Sequence, residues 1–160
     1  MLSSTKPYQL GVRLLTIPFL CFVLASCAMW RESNTERQRT AEIHAFYESW
    51  KGTEYQYGGS GGQGIDCSAL MVRAYKDIFG ISLPRTTEDQ ASLGKRVRLK
   101  KARSGDLVFF KTGLSRRHVG IFLEDGFFVH SSASTGVMKS SINSEYWQKH
   151  FWKVKRVAAN

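Results

Sequence analysis

The sequence has few cysteines, few acidic residues and no long hydrophobic run, and each shortage excludes a class of protein. Three cysteines in 160 residues are too few for a disulfide-stabilised scaffold. No apolar run reaches the roughly 18 residues that a membrane-spanning helix needs. Only 13 acidic residues accompany 23 lysines and arginines, so the formal net charge of +10 favours an anionic partner: nucleic acid, lipid headgroups or a carboxylate-rich cell wall.

The chain nevertheless has enough apolar and aromatic residues to fill a folded core. Hydrophobic residues make up 42% of it and aromatic residues 12%, with four Trp, six Tyr and ten Phe. This composition excludes a disordered or low-complexity chain. A length of 160 residues, with no internal repeat, predicts one domain with a short appendage.

The first 26 residues are typical of a secretory signal peptide. Lys6 and Arg13 supply positive charge, and residues 14–24 (LLTIPFLCFVL) form a short uncharged apolar core. Residues 24–27 (LASC) resemble the lipobox of bacterial lipoproteins. The resemblance implies cleavage after residue 26 and acylation of Cys27, and several acyl chains on one residue anchor a protein stably. The alternative is an ordinary signal peptide with an incidental cysteine.

Export from the cytoplasm would limit which cysteines stay free and which partners the protein meets. Ala28, and not aspartate, follows Cys27, which by resemblance to Gram-negative sorting rules predicts the outer membrane. With Cys21 removed and Cys27 blocked, Cys67 is the only free thiol in a compartment where disulfides form. It is therefore either a buried hydrophobe or kept for its reactivity. Nucleic acid is not an expected partner of an exported chain, and no recognition motif for it is present.

Hydrophobic spacing predicts two helices after a polar tether over residues 27–35. The first helix has apolar residues at i, i+3, i+4 and i+7 and stops at Gly52. These residues are Ile43, Phe46, Tyr47 and Trp50. The second helix runs from an N-cap at Asp66 to Gly80. A short third helix begins near Thr86 or Thr87, and the pair Thr87 and Gln90 has capping-box spacing.

Glycine and strand signals organise the rest of the domain, which is predicted to span residues 36–160. Five glycines in residues 58–64 predict a tight loop rather than a linker. The strands are predicted over residues 107–110, 119–123, 127–130 and 154–157. The basic run 95–103 (KRVRLKKAR) is interpreted as an exposed strand, the alternative being a contact patch for wall or lipid. Helices followed by antiparallel strands predict an α+β fold.

Cys67 is the strongest candidate for a catalytic side chain. It follows the predicted N-cap Asp66, and the free amides at a helix start stabilise a thiolate, which attacks carbonyl carbons well. Such a nucleophile needs a base, most often histidine. His44, in the first helix, and His150, in the aromatic C-terminal stretch, are interpreted as structural.

The hairpin between two predicted strands decides whether His118 and His130 meet. A two-residue loop would place the histidines on opposite faces of the sheet. A three-residue loop over residues 124–126, ending in a left-handed glycine, places both on one face, about 7–8 Å apart. It also pairs His130 with Gly120, which leaves room for an imidazole. We predict this loop, and a triad of Cys67 as nucleophile, His118 as base and His130 as the residue that orients His118.

Two other interpretations of these three residues stay open at this point. Cys67 with two histidines is a ligand set that zinc accepts. No Cys-x-x-Cys or His-x-x-x-His spacing supports a metal, so the prediction is that none is bound. Cys67 is alternatively a core residue, because it lies among apolar positions such as Leu70 and Met71.

Several ordered segments resemble the NlpC family of bacterial cell-wall cysteine peptidases. They are residues 52–59 (GTEYQYGG), 65–68 (IDCS), 83–86 (LPRT), 105–110 (GDLVFF), 118–121 (HVGI), 136–141 (GVMKSS) and 146–149 (YWQK). Segments in this order, between about residues 45 and 157, are far more specific than a lone Asp-Cys-Ser. The family usually has glycine after that tripeptide, whereas Ala69 stands here; alanine favours the helix but slightly restricts close substrate approach.

The resemblance implies a papain-like fold, in which a helical lobe carries the nucleophile and an antiparallel sheet carries the base. It gives the three triad residues the roles already predicted for them. It also implies that Tyr57 lines the site and helps to bind the oxyanion, and that Asp66 and Ser68 shape the substrate site. Packing by Tyr57 and helix capping by Asp66 are the structural alternatives. Arg85 and Asp106 are interpreted as structural.

The activity that the resemblance implies is hydrolysis of peptidoglycan stem peptides through a thioester, without a cofactor. Family substrates are D-glutamyl–diaminopimelate or D-alanyl–diaminopimelate bonds, and the sequence does not choose between them. No separate wall-binding repeat is present, so targeting is expected to rest on the lipid anchor or on an adaptor protein. The rival hypotheses are a wall-binding or scaffolding lipoprotein with an inactive site, and an acyltransferase on the same scaffold.

Overall fold

The computed structural model describes residues 34–158, so the predicted signal peptide and Cys27 lie outside the described residues. The chain divides into two units, residues 1–35 and 36–160. Nearly all of the described residues belong to the second unit. Within the described part, no helix is both long and apolar enough to cross a membrane. Residues 34 and 35, at the end of the predicted tether, are already helical.

The first helix, α1, occupies residues 34–50 and buries the face that the apolar spacing predicts. Ile43, Phe46 and Tyr47 are buried, and Trp50 packs against the same core. Gly52 follows with φ +78°, a backbone conformation that is strained for residues with a Cβ atom. The predicted helix and its stop are therefore confirmed.

The second helix, α2 (Cys67–Phe79), begins at the predicted N-cap. The Asp66 carboxylate accepts a hydrogen bond from the Ala69 N–H at 2.8 Å, which satisfies one of the free amides of the first turn. Gly80 ends the helix with φ +67°. The capped first turn is buried, so the side chain of Cys67 is held inside the protein and not on its surface.

The short helix α3 (Thr87–Gln90) is capped by the residue that precedes it. The Thr86 hydroxyl accepts from the Asp89 N–H at 3.2 Å and donates to the Asp89 carboxylate at 2.7 Å. The predicted pairing of Thr87 with Gln90 is wrong, because the Gln90 side chain is buried and points elsewhere. Its amide donates to the carbonyl oxygen of Ser68 at 3.0 Å and so connects α3 to the first turn of α2.

A six-stranded antiparallel sheet follows the helices. Its strands are β1 (Lys95–Val97), β2 (Leu107–Lys111), β3 (Arg117–Phe122), β4 (Phe127–Ser132), β5 (Gly136–Ser141) and β6 (Phe151–Arg156). They lie in the order β1-β6-β2-β3-β4-β5, and every neighbouring pair is antiparallel. Helices first and antiparallel strands afterwards confirm the predicted α+β fold.

Two elements and one boundary differ from the sequence-based prediction. Strand β5 and a short helix, α4 (Glu145–His150), are not predicted. The basic run over residues 95–103 is a strand only in β1, because Leu99–Lys101 turns into a 3-10 helix. The predicted exposed strand therefore holds for three of its nine residues.

The sheet is buried on both faces, and each face packs in its own hydrophobic cluster. Leu107 and Phe109 of β2 pack with the helices, whereas Val108 and Phe110 pack in a second cluster with Phe128. This alternation follows the two-residue period of a strand. The helical layer carries Cys67 in α2. His118 pairs with Phe110, and His130 stacks on Phe128, so both histidines lie on the side of the sheet that packs in the second cluster.

Candidate active site

The hairpin between β3 and β4 has the three-residue loop that the sequence predicts. The Leu123 N–H donates to the Phe127 carbonyl oxygen at 2.8 Å, and residues 124–126 lie between them. Gly126 has φ +75°, as expected, and Asp125 also has a positive φ, +58°. Aspartate tolerates this region better than most residues, so the loop closes without a second glycine.

This register brings His118 and His130 onto one face of the sheet. The strands pair Ile121 with Val129 and Phe122 with Phe128. A Cβ atom on Gly120 would lie 2.6 Å from the Phe128 ring, 2.7 Å from the Val129 carbonyl oxygen and 3.2 Å from the Cβ of His130, so the glycine mainly makes room for the ring that stacks on His130. His118 Nε2 lies 2.9 Å from His130 Nδ1, with the rings nearly perpendicular at 84°.

Three further side chains fix the orientation of the two rings. Trp147 stacks on His118 with ring centroids 5.3 Å apart, and Phe128 stacks on His130 at 4.8 Å. Ser140 Oγ lies 2.9 Å from His130 Nε2. Sequence reasoning missed Trp147 and Ser140 as site residues, because they belong to α4 and β5, the two elements that the pattern does not predict.

Cys67 lies against β3 and lines the same groove as His118 and His130. The backbone N–H of Val119, the residue after His118, donates to the Cys67 sulfur, and Thr87 Oγ1 lies 3.8 Å from it. Burial raises the pKa of the Cys67 thiol, and these hydrogen bonds offset the rise only in part. Burial of the sulfur therefore outweighs the stabilisation of a thiolate that the helix start alone predicts.

The two imidazoles are neutral for the same reason. Burial lowers the pKa of His118 to about 4, and burial together with repulsion from His118 lowers the pKa of His130 further. A neutral imidazole accepts a proton. The resting site is therefore a thiol beside an unprotonated His118, arranged for proton transfer when the sulfur attacks.

Removal of the Thr87 hydroxyl should raise the pKa of the Cys67 thiol further. Thr87→Val keeps the shape of the side chain but deletes the hydrogen bond that favours the thiolate. We expect the pH midpoint of Cys67 alkylation by iodoacetamide to rise in Thr87→Val and to stay near the parent value in Thr87→Ser. The same midpoint in all three proteins would contradict a role of Thr87 at the sulfur.

Acid should destabilise the folded protein through its two buried histidines. Both folded-state pKa values lie below the ordinary 6.5, so the unfolded chain binds more protons as the pH falls below that value. The stability is present above pH 6.5 and is lost towards pH 4. We expect the free energy of unfolding to fall by about 2 kcal/mol for each imidazole between pH 7 and pH 5, measured by urea unfolding.

A matched pair of variants separates this effect from general acid denaturation. His130→Gln removes one buried imidazole and should reduce the pH dependence by about half. His44→Gln, which removes a ring that is 40% exposed and lies outside the buried pair, is the matched control. Equal pH dependence in the parent and in His130→Gln would show that the buried pair is not the cause.

Two tyrosines of the segment 52–59 occupy different depths of the site. Tyr57, which the family resemblance gives as the oxyanion residue, is 90% exposed and lies at the rim of the groove. Tyr55 is half-buried in the groove wall. Burial raises the pKa of its phenol, and the charges that Cys67 and Asp66 carry when ionised raise it further, so Tyr55 is a protonated hydroxyl in the groove that Cys67 also lines. The only sequence signal for Tyr55 is its place two residues before Tyr57.

Asp66 and Ser68 form one wall of the groove together with Arg85. Arg85 binds the Asp66 carboxylate through both terminal nitrogens, at 2.9 and 2.6 Å, and donates to Ser68 Oγ at 2.9 Å. Burial acts to raise the pKa of Asp66, but hydrogen bonds from Arg85, the Ala69 amide and Ser68 outweigh it and hold the pKa below its ordinary value. Arg85 therefore holds Asp66 as an anion and also lines the groove itself.

The glycine-rich segment 58–64 packs tightly against this wall, as predicted. A Cβ on Gly59 would lie 2.5 Å from the Gly64 carbonyl oxygen, closer than any side chain tolerates. The Gly58 N–H donates to Asp66 at 3.1 Å. Ala69, in contrast, is 3% exposed and packs in the core below the site, so its methyl group does not narrow the groove as the sequence suggests.

The other residues that the sequence analysis considered, His44, His150 and Asp106, do not line the groove. His44 contacts Glu124 at 3.8 Å, and His150 Nδ1 lies 2.7 Å from the carbonyl oxygen of Tyr146. Asp106 is 3% exposed and accepts two hydrogen bonds from Arg156. In residues 34–158, no group of three or more His, Cys, Asp and Glu side chains is arranged to hold a metal ion.

A buried thiol, a histidine beside it and a second histidine bonded to the first define a cysteine-type acyl-transfer site. All three line a groove whose other walls carry Tyr55, Arg85 and Trp147, among others. The sequence matches the NlpC/P60 family over residues 52–156, and the chain belongs to this family.

Two curated relatives from Escherichia coli K12 are each 46% identical to the chain. One is described as a probable endopeptidase NlpC; the match covers 112 residues, 69% of this chain and 73% of the relative. The other is described as a murein DD-endopeptidase MepS/murein LD-carboxypeptidase; the match covers 111 residues, 69% of this chain and 59% of the relative.

Solved structures of the same family share the fold. A Staphylococcus aureus protein described as similar to lipoprotein, NLP/P60 family, is 33% identical, with a TM-score of 0.68, over 77% of this chain and 42% of its own. The Mycobacterium tuberculosis peptidoglycan hydrolase RipB is 25% identical, with a TM-score of 0.65, over 79% of this chain and 68% of its own.

Proposed function

We propose that this protein is a peptidoglycan endopeptidase that hydrolyses stem-peptide bonds with Cys67 as its nucleophile. The observation that carries the proposal is the 2.9 Å contact between His118 and His130 beside the buried thiol. Relatives described as murein endopeptidases support peptidoglycan as the substrate. The D-alanyl–diaminopimelate bond fits the MepS description, and the D-glutamyl–diaminopimelate bond fits that of a Bacillus subtilis γ-DL-glutamyl hydrolase, 35% identical.

The hydrogen-bonded chain from His118 through His130 to Ser140 sets the proton positions that a general base needs. When Ser140 Oγ accepts from His130 Nε2–H, His130 Nδ1 becomes an acceptor. It then accepts from His118 Nε2–H, so the other ring nitrogen of His118, Nδ1, is unprotonated. That nitrogen is the base for the thiol proton, and Ser140 acts through the two rings as a positioning residue.

The reaction then follows as acyl transfer to water. His118 Nδ1 takes the Cys67 proton as the sulfur attacks the peptide carbonyl carbon, and the carbonyl oxygen becomes an oxyanion. His118 returns the proton to the leaving amine, the C–N bond breaks and a thioester remains. Water, losing a proton to His118, attacks the thioester, and release of the new carboxylic acid restores the Cys67 thiol.

Tyr55, rather than Tyr57, is the side chain that we assign to the oxyanion. Its phenol remains protonated beside Cys67 and can donate a hydrogen bond there, together with the Cys67 N–H. We expect Tyr55→Phe to lower kcat by about 10²-fold with little change in KM. Tyr57→Phe is the matched control, and we expect less than a threefold change. The reverse order of the two variants would assign the role to Tyr57.

Defined muropeptides test the proposed activity. The protein is incubated with monomeric and cross-linked muropeptides, and the products are identified by mass, with Cys67→Ala as the blank. Products that appear only with the parent protein establish the activity, and their masses identify the bond. Absence of products with a Cys67 that alkylates readily would reject these substrates, and an inert Cys67 would favour a binding protein.

We also propose that Cys27 carries the lipid that anchors the protein to the periplasmic face of the outer membrane. The apolar core before the LASC sequence and Ala28 after it support this assignment. Fractionation of cells that produce the full chain tests it. The parent should be found with outer-membrane vesicles and Cys27→Ser in other fractions, whereas the same fractions for both would reject the anchor.

A further inference from the structure

Five cations share one face of the sheet next to the groove. They are Arg96, Lys111, Arg117, Lys153 and Lys155, here called the cationic face. Directly paired residues of neighbouring strands, and alternate residues of one strand, point to the same side. Lys153 pairs with Phe109 and Lys155 with Leu107, which places both lysines on the same side as Lys111 of β2.

The register opposes like charges twice within this face. Arg96 of β1 pairs directly with Lys155 of β6, and Lys111 of β2 pairs directly with Arg117 of β3. Like charges directly opposite each other destabilise a sheet. In the described part of the chain, none of the five side chains forms an ion pair with an acidic residue. No acidic side chain among the described residues therefore offsets this repulsion.

Three of the charges converge on one aromatic ring. The Trp152 ring centroid lies 3.9 Å from Lys153 Nζ, 5.1 Å from Lys111 Nζ and 5.7 Å from Arg117 Cζ. Burial lowers the pKa of Lys153, and repulsion from Lys155, Arg96 and Lys111 lowers it further, which agrees with the charges being close together. An anion on this face would relieve that repulsion.

We propose that the cationic face binds carboxylates of the peptidoglycan stem peptides next to the one being cut, an inference that rests on the proposed function. Arg117 belongs to the face and also lines the groove, together with Arg116, so the two surfaces are continuous. The face crosses β1, β6, β2 and β3, three inter-strand spacings or about 14 Å. It is wider than a single carboxylate and fits a polymer that carries several.

The test compares binding to intact sacculi with cleavage of a small substrate. Lys111→Gln, Lys153→Gln and Lys155→Gln are combined in the Cys67→Ala background, so that sacculi are not digested, and co-sedimentation is measured in 50 mM NaCl. The matched control removes three exposed charges elsewhere, by Arg37→Gln, Lys76→Gln and Lys100→Gln. Thermal unfolding confirms that both triple variants fold.

We expect the face variant to lose at least fivefold in affinity for sacculi and the control variant less than twofold. In the background with an intact Cys67, the ratio of the rate on sacculi to the rate on a soluble muropeptide should fall by a similar factor in the face variant. Binding of the Cys67→Ala protein with an intact cationic face should also weaken with NaCl, because salt screens exposed charges.

Equal losses in the two triple variants would reduce the effect to net charge and overturn the proposal. So would unchanged sacculus binding by the face variant, or loss of its binding only to vesicles that contain phosphatidylglycerol, which would assign the face to a membrane. Failure of the proposed function has a different signature, because the parent would then cleave neither substrate while the binding difference persisted.

Discussion

Cys67→Ala should abolish hydrolysis of muropeptides and leave the fold in place. The proposed acyl intermediate forms on this thiol, so its loss removes the reaction path and not one contribution to it. By comparison with other nucleophile deletions, we expect kcat to fall on the order of 10⁴-fold or more. The rate of product formation, measured by mass, should equal that of the buffer blank.

The free energy of unfolding is the control measurement for Cys67→Ala. Cys67 is 7% exposed, so Cys67→Ala deletes one buried sulfur and should cost only about 1 kcal/mol in the free energy of unfolding. Cys67→Ser, which places a hydroxyl of similar size at this position, is a second variant. A folded Cys67→Ala protein that still hydrolyses muropeptides at a tenth of the parent rate would remove Cys67 from the mechanism.

Replacement of the two histidines should produce unequal losses. His118 moves the proton in both half-reactions, so we expect His118→Ala to lower kcat on the order of 10⁴-fold. His130 acts only through its 2.9 Å contact with His118, so His130→Ala should cost about 10²-fold. Steady-state rates with one muropeptide measure both losses, and KM should change little in either variant.

A conservative change tests whether His130 positions its neighbour. His130→Asn retains an amide oxygen that can accept from His118 Nε2–H, so its activity should recover to within about tenfold of the parent. Ser140→Ala should lower kcat by less than His130→Ala does, because it removes only the hydrogen bond between Ser140 and His130 and leaves the one between His130 and His118. Equal losses for His118→Ala and His130→Ala, or a larger loss for the second, would contradict the division of roles.

Local sequence rules predict the parts of the site that local chemistry determines. Asp66 caps α2 because its side chain satisfies a free amide within its own turn, and the spacing of apolar residues identifies that helix. The loop over residues 124–126 is predictable because Gly126 accepts a positive φ and because the alternative loop would separate the histidines. The first of these places Cys67 in the capped turn of α2, and the second places His118 and His130 on one face of the sheet.

The parts that the sequence did not reveal depend on contacts between distant segments. Tyr55 and Tyr57 belong to the same short segment, and only the depth of the groove distinguishes the buried phenol from the exposed one. Ser140 lies on a strand with a polar pattern, and Trp147 lies on a helix of six residues, too short for periodicity to reveal. The raised pKa of Cys67 likewise results from burial by the sheet, which helix position alone cannot show.

A titration of the Cys67 sulfur tests most directly whether turnover passes through it. The protein is treated with increasing iodoacetamide, the modified fraction of the Cys67 peptide is measured by mass, and muropeptide hydrolysis is measured on the same samples. We expect activity to fall in proportion to the modified fraction and to reach zero when Cys67 is fully modified. Activity that persists after complete modification of Cys67 would contradict it.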